Sequence, residues 1–374
     1  MSIIKAGRSY RIQNAYNRFY LNAGSAATQS GIYLTQEPMK GEGAEHDTKI
    51  WHVFPLDNEF HLFANKNSGL VMKIRDDSVK PKEWAWQQEL NSPDRAPSQT
   101  WLAEHVSDNT YRVRNQNSQL SLSIPNFSLT KGTIVAQLPE DDTANVKWWQ
   151  WVFEVEDEFE RVLNLPTFEG VGIGDIHRLT GFEHLEENTT DPVEVANFAY
   201  PFPLITDQAY DRQRQAQRNP YYILRKYGYW KRVYQYEHGG ASEYTEKQKA
   251  HVGLTSLNST QVEETTSTSV SAEASFGFKG FASSISETFA KQMKVTTTNQ
   301  EITETWAERE IIRTYPHGTK VSEAVWYRQD DYVLERLDGT MLIKWTVSDE
   351  TKSISDAWPP QAAKELEQYR SRLT

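Results

Sequence analysis

The chain has 374 residues, 38% of them hydrophobic and 12% aromatic, with a formal net charge of −11. That length holds two domains with sizeable cores, while the acidic balance, with no local basic surface, points away from a nucleic-acid partner. There is no cysteine, so neither a disulfide framework nor a thiolate metal site can form.

The N-terminus, MSIIKAGRSYRIQ, lacks the apolar core of a secretory signal, and no apolar run approaches the length of a spanning helix. The expectation is synthesis in the cytoplasm without a signal peptide. Residues 1–155 hold 16 basic and 17 acidic side chains and the remainder 24 and 34, so the negative charge sits in the second part.

Residues 1–155 read as three repeats. Trp51, Trp101 and Trp151 recur at a spacing of fifty. Each closes a unit that opens on an aromatic-initiated strand (from Tyr10, Phe60 and Tyr111) and carries a middle strand ending near a glutamine (Gln36, Gln88 and Gln137). Three units of four short strands predict a β-trefoil, because one unit cannot bury its apolar face alone and three close a common core. The three tryptophans are expected in that core.

Gln99-Thr100-Trp101 resembles the Q-x-W element of ricin-B-type trefoil lectins; the other repeats carry Lys49 and Trp149 where glutamine is expected. In those lectins a carboxylate after the first strand and an aromatic platform hold the sugar. The resemblance places the carboxylate positions at Asn22, Lys73 and Ser123, none of them acidic, and the platforms at Tyr33, at Trp84 or Trp86, and at Ile134. The carbohydrate-binding candidates are therefore Asn22, Tyr33, Trp84, Trp86 and Gln99, with packing as the alternative role for Trp84 and Trp86.

From Glu156 to Pro203 the chain is punctuated by Pro and Gly and reads as an irregular connection. PYYILRKYGYWKRVYQY, from Pro220, reads as one long strand, or two with a turn at Gly228. PYYILRKYGYWKR and the following YTEKQKAHVGLTS resemble the Bin-like bacterial insecticidal toxins, also called Tpp proteins. The resemblance implies an N-terminal ricin-B-type trefoil, residues 1–155, followed by an elongated antiparallel-β, aerolysin-like pore-forming domain, residues 156–374. It further implies storage as a crystal or inclusion, release, and action at a target-cell membrane. The implied partners are a cell-surface glycan or glycoprotein receptor, the target membrane, further copies of the chain in a pore and, as in binary members, a second toxin component.

Residues 261–298 are rich in Ser and Thr and free of Pro, Trp and Tyr. Val270, Ala272, Ala274, Phe276 and Phe278 fall on one parity, opposite Ser269, Ser271, Glu273, Ser275 and Lys279. Beyond Lys279-Gly280, a turn, Phe281, Ile285, Phe289 and Met293 again share a parity. This predicts a membrane-inserting β-hairpin over 262–297, each arm exceeding the roughly 9–11 residues of a membrane strand. The second arm's apolar residues are also spaced by four, as on an amphipathic helix, so strand and helix both stand for it. Residues 301–316 and 321–347 read as long strands, with Asp338-Gly339 as a hairpin turn, and a short amphipathic helix ends the chain.

No HExxH, GxSxG or phosphate-loop motif is present. His184 among Glu183, Glu186 and Glu187 reads as a solvated acidic face, and no catalytic residue, metal or cofactor is expected. The mostly β chain is expected to be a pore-forming toxin; the alternative is a trefoil lectin or adhesion protein whose second domain serves oligomerisation only.

Overall fold

The computed structural model describes residues 4–24, 26–90, 97–140, 147–255, 259–279 and 285–371, and most of its regular structure is antiparallel strand. The first repeat supplies β1 (Arg8–Asn14), β2 (Tyr20–Asn22), β3 (Ile32–Tyr33) and β4 (Thr35–Glu37). A single helical turn, α1 (Ala44–Asp47), leads into the second, with β5 (Ile50–Pro55), β6 (Phe60–Asn65), β7 (Val71–Ile74) and β8 (Ala85–Gln88). The third supplies β9 (Thr100–Ser107), β10 (Thr110–Asn115), β11 (Ser121–Ser123) and β12 (Ala136–Leu138), and β13 (Gln150–Glu158) returns to β1.

β1, β5, β6, β9, β10 and β13 pair in a ring that closes on itself. Closure leaves this barrel without a free edge. Trp51, Trp101 and Trp151 lie fully buried inside it. Their indole N–H groups donate to the carbonyls of Leu21 (3.0 Å), Met72 (3.2 Å) and Leu122 (2.8 Å), three equivalent bonds from three repeats.

Two more threefold sets pin the loops. Asn14, Asn65 and Asn115 each donate through Nδ2 to carbonyls at the start of a neighbouring strand and accept through Oδ1 from the turn that follows. Gln36, Gln87 and Gln137 each donate through Nε2 to two carbonyls of an adjacent repeat's hairpin loop. The second member is Gln87 and not Gln88: strand alternation turns Gln87 into the core and Gln88 outward.

The paired strand β13 continues to Glu158, opposite Arg8, so a boundary after residue 155 cuts through a ladder. A helical turn, α2 (Glu160–Leu163), follows. The Pro/Gly-rich stretch that reads as irregular contains a strand, β14 (Val193–Pro201), which buries Val195, Phe198 and Tyr200. It is an edge strand, where flanking prolines do no harm. After α3 (Arg212–Arg218), capped by the Asp211 carboxylate, comes β15 (Tyr221–His238). β15 runs straight through Gly228; its 18 residues, at about 3.3 Å each, span about 60 Å.

β16 (Tyr244–Leu254) follows. The next segment folds as α4 (Ser259–Thr266), β17 (Thr268–Val270), β18 (Ser275–Phe278), α5 (Ser286–Met293) and β19 (Thr296–Thr298). β20 (Trp306–Tyr315), β21 (Val321–Arg336), β22 (Met341–Trp358) and α6 (Pro360–Arg370) complete the chain. The long sheet has the order β14-β15-β21-β22-β16-β20, and β17, β18 and β19 form a separate small sheet. The turn from β21 to β22 holds Asp338 and Gly339, the latter with φ of 88°. α6 docks through Ala362 and Leu366, and Arg370 grips the buried Glu323 carboxylate with two bonds of 2.9 and 2.7 Å.

The trefoil and the long sheet share an apolar core. Phe54, Leu56, Leu62 and Val71 of the barrel's outer face join Phe198, Tyr200, Phe202, Tyr221 and Phe289. The Phe54 ring lies 5.1 Å from that of Tyr221 and 5.8 Å from that of Phe202.

Candidate functional site

Two places on this scaffold carry the candidate residues. The first is a cleft of about 900 Å³ on the first repeat, lined by Asn22, Tyr33, Thr35, Lys49 and Ile134 among others. Asn22 ends β2. Its Nδ2 donates to the Gly24 carbonyl (2.8 Å) and to Thr35 Oγ1 (3.0 Å), which leaves Oδ1 buried with no protein partner. That oxygen is shielded from solvent, so what the cleft opens to a sugar is the half-buried Tyr33 ring.

The expected platforms of repeats one and two are not separate. β3 pairs with β8, so Tyr33 lies opposite Trp86. Their rings sit 6.3 Å apart and near parallel, and Trp84 meets Tyr33 edge-on at 4.8 Å. The Arg75 guanidinium lies over the Trp84 ring.

The other two lectin positions are closed. Lys73 is buried and paired with Asp77 at 3.0 Å, and the buried Ser123 hydroxyl donates to the Ser121 carbonyl. Gln99 corrects an expectation: it is fully buried and donates to the Glu89 carbonyl at 2.8 Å, so its place in the Q-x-W element holds a loop and presents nothing to a sugar.

The second place is the segment between β16 and β20. Its alternation does not become one strand in this form. Residues 259–266 are helical, a tight turn with Ala274 at φ of 58° separates β17 from β18, and 286–293 are helical. Gly280 and Phe281, on which the expected turn and the start of the second arm fall, lie outside the described residues. The reason for the departure is cover. A lone two-stranded ribbon would leave one apolar face in water. Folded back, Val270, Ala272, Phe276, Ile285, Phe289 and Met293 are buried, and Ala274 and Phe278 half-buried. The Phe289 ring packs 5.3 Å from Phe198, 5.3 Å from Phe276 and 5.0 Å from Phe278; Phe276 packs 5.2 Å from Tyr332. Glu273 and Lys279 stay exposed.

The flanks of this segment are already paired. β16 and β20 run antiparallel from Tyr244↔Tyr315 to Gly253↔Trp306, and the residue numbers of every pair add to 559. The bond from Leu254 N to Thr305 O (2.9 Å) keeps that register one step further. There the segment turns back over Gly253, whose φ is 77°. A β-carbon on Gly253 would lie 2.6 Å from Ala272 Cα and 2.7 Å from the Thr305 carbonyl oxygen.

One ion pair lies beneath the segment. Lys226, on the buried parity of β15, meets Asp330 at 3.1 Å, and burial pushes its ammonium down to about 8 against the pull of Asp330. Gly253 and Lys226 were both legible as oddities, an isolated glycine within a strand pattern and a lysine on a strand's apolar parity. Among the described residues no group of three His, Asp or Glu side chains could hold a metal ion, and no helix is long and apolar enough to cross a membrane.

Comparison with known proteins bears on both halves of the chain. Residues 193–360 match the family described as "Insecticidal Crystal Toxin, P42", and residues 49–138 match the ricin-type β-trefoil lectin domain-like family. The insecticidal crystal protein Cry35Ab1 of Bacillus thuringiensis is 21% identical over 237 residues, which span 62% of this chain and only 56% of that relative. The crystal structure of Cry35Ab1 superposes with a TM-score of 0.76 at 15% identity, covering 98% of this chain and 94% of that one. Residues 193–360 thus match the insecticidal crystal toxin (P42) family and follow a ricin-type β-trefoil, a Tpp-like order of domains.

Proposed function

We propose that this chain is a pore-forming insecticidal toxin. Residues 1–158 dock on a cell-surface glycan or glycoprotein through the Asn22–Tyr33 cleft, and several copies then each donate the 262–297 hairpin to a shared barrel. The observation that carries this reading is the β16–β20 register. Continued at the same sum, it pairs Val270 with Phe289, Ala274 with Ile285 and Phe278 with Phe281, and it folds back between Lys279 and Gly280, where the sequence predicts the turn. Opposite residues of an antiparallel ladder share a face. Both apolar parities therefore fall on one side, and Ser269, Ser271, Glu273 and Ser275 fall on the other with Ala290, Thr288, Ser286 and Ser284. Arms 270–279 and 280–289 have the length of membrane strands, about 9–11 residues.

Two polar residues fall on the lipid side, Ser283 opposite Phe276 and Glu287 opposite Ala272. Glu287 lies toward the outer end of its arm, where a charge costs less than at the midplane. A closed barrel satisfies every backbone group in lipid, which no single hairpin can do, so copies must assemble. The net charge of −11 makes anionic lipid a poor first contact, and that assigns the encounter to the trefoil.

The test is dye release from insect-cell membrane vesicles, read with a parity pair. Ala274→Arg places a charge near the midplane, costing about 2–4 kcal/mol per chain, and is expected to abolish release. Ser275→Arg, one residue on, is expected to keep release and shift ion selectivity toward anions. Equal responses would sink the hairpin, and no release by the unaltered chain would sink the pore.

A further inference from the structure

α5, which contains Phe289, is held at each end by a charged residue from outside its own segment. Its N-terminus lacks a cap of its own: Ile285 stands at the cap position and makes no side-chain bond there. The carboxylate of Asp57, in the trefoil turn between β5 and β6, supplies one. It accepts from Glu287 N (2.9 Å), Thr288 N (3.0 Å) and Thr288 Oγ1 (2.6 Å). These N–H groups have no partner within a helix. At the other end the Lys226 ammonium donates to the carbonyls of Met293 (3.1 Å) and Lys294 (3.2 Å) while it holds Asp330. The carboxylate sits at the positive end of the helix dipole and the ammonium at the negative end, the favourable sense at both.

The two residues belong to different bodies. Asp57 is on the trefoil, beside the Phe54 and Leu56 joint, and Lys226 is on the long sheet. Between the trefoil and α5 lies a cavity of about 220 Å³ lined by Ala6, Phe54, Pro55, Ile285, Thr288 and Gln292. Trefoil and helix also share the apolar cluster of Phe54, Leu56, Ile285 and Phe289, and the carboxylate cap is the polar tie between them.

We propose that Asp57 and Lys226 form a two-ended clamp through which the trefoil holds the 286–293 helix shut against the sheet, and that displacing the trefoil on receptor engagement frees the segment. What the freed segment then does rests on the pore-forming reading; the clamp itself does not.

The first test needs no membrane. Hydrogen exchange of residues 286–293 is measured in the full soluble chain, unaltered and as Asp57→Ala, Asp57→Asn and Lys226→Met. Losing a cap is expected to speed exchange about tenfold in Asp57→Ala, whereas Asn keeps one of the two acceptor oxygens and is expected to give a rate between the two. Asp57 is not in the core, so its variants keep the test valid even where Lys226→Met fails to fold. The second test ties the clamp shut. The cysteine-free chain takes Asp57→Cys with Thr288→Cys, residues whose side chains touch. Oxidised protein is expected to bind insect-cell membrane vesicles without releasing dye, and reduction is expected to restore release. Unchanged exchange in Asp57→Ala, or equal release by the oxidised and reduced forms, overturns the clamp. Faster exchange in Asp57→Ala with no release by any form leaves the clamp standing and overturns the pore instead.

Discussion

Gly253→Ala acts on the folded-back form and spares the extended one. In the folded-back form Gly253 has φ of 77°, and an added β-carbon meets Ala272 Cα at 2.6 Å, the Thr305 carbonyl oxygen at 2.7 Å and the Ser271 carbonyl oxygen at 3.0 Å. All three are backbone atoms and cannot rotate aside. The left-handed conformation costs an L-residue about 1–2 kcal/mol, and the added carbon costs a further 1–3 kcal/mol or so of overpacking. In a continued β16–β20 ladder the same residue is ordinary strand, where alanine is better than glycine by about 0.5–1 kcal/mol. The terms share one sign, so the balance moves toward the extended form by about 2.5–6 kcal/mol, at least about 70-fold in the equilibrium. The assay pairs thermal unfolding of the soluble chain with dye release per vesicle-bound molecule. The expected result is a lower midpoint with faster release. A lower midpoint with slower release would show damage to the fold alone, and unchanged values would place the hinge elsewhere.

Two further outcomes are expected. Trp101→Ala empties a fully buried site and is expected to lose about 3–5 kcal/mol in a denaturant titration; a loss under about 1 kcal/mol would contradict the threefold core. His52 is fully buried at the trefoil–sheet joint, where its Nε2 donates to the Ala216 carbonyl (2.8 Å) and its Nδ1 has no partner, and burial pushes its pKa down to about 4. Its folded pKa lies below the unfolded value near 6.5, so its contribution is complete above pH 6.5 and is lost as pH falls toward 4, by about 3 kcal/mol in all. Thermal midpoints measured between pH 7 and 4 are expected to drop accordingly, and a His52→Asn variant with the same slope would refute the assignment.

The trefoil was legible because its core repeats: tryptophan recurs every fifty residues, and only a closed threefold barrel buries all three. The same register held more than the aromatic positions showed. Asn14, Asn65 and Asn115, and Gln36, Gln87 and Gln137, keep spacings of 51 and 50, but polar residues in turns carry no burial signal until their partners are known. The long strands were readable from β-branched and aromatic runs. β14 was hidden by the prolines around it. The candidate sugar cleft was half legible: aligning the repeats placed Asn22 and Tyr33, which line one cleft, yet only strand pairing shows that Trp84 and Trp86 crowd the same ring, and only burial removes Gln99. The folded-back segment was least legible, since its helix is decided by Asp57 and Lys226, 230 and 67 residues away from the groups they hold.

That segment also explains its own departures from a clean strand pattern. Ile285, Phe289 and Met293 are spaced by four, and four is both even and close to one helical turn. The same three side chains therefore share a face in a strand and in a helix, and all three are buried, Ile285 at the cap of α5 and Phe289 and Met293 within it. Glu287 and Lys291 break the strand parity, but in α5 both are exposed, Glu287 lies in the first turn, and the pair has the favourable four-residue order of acid before base. Their presence is a requirement of the helical form that the hairpin tolerates near its outer end. In the first arm Phe276 and Phe278, spaced by two, serve only a strand, and that stretch is already β18. An eight-residue helix is too short to persist alone, since isolated helices under about 12–15 residues are marginal. The closed form thus depends on support from two other bodies; on the pore-forming reading the extended form depends on other copies of the chain, so that losing the first support and gaining the second would drive the same change.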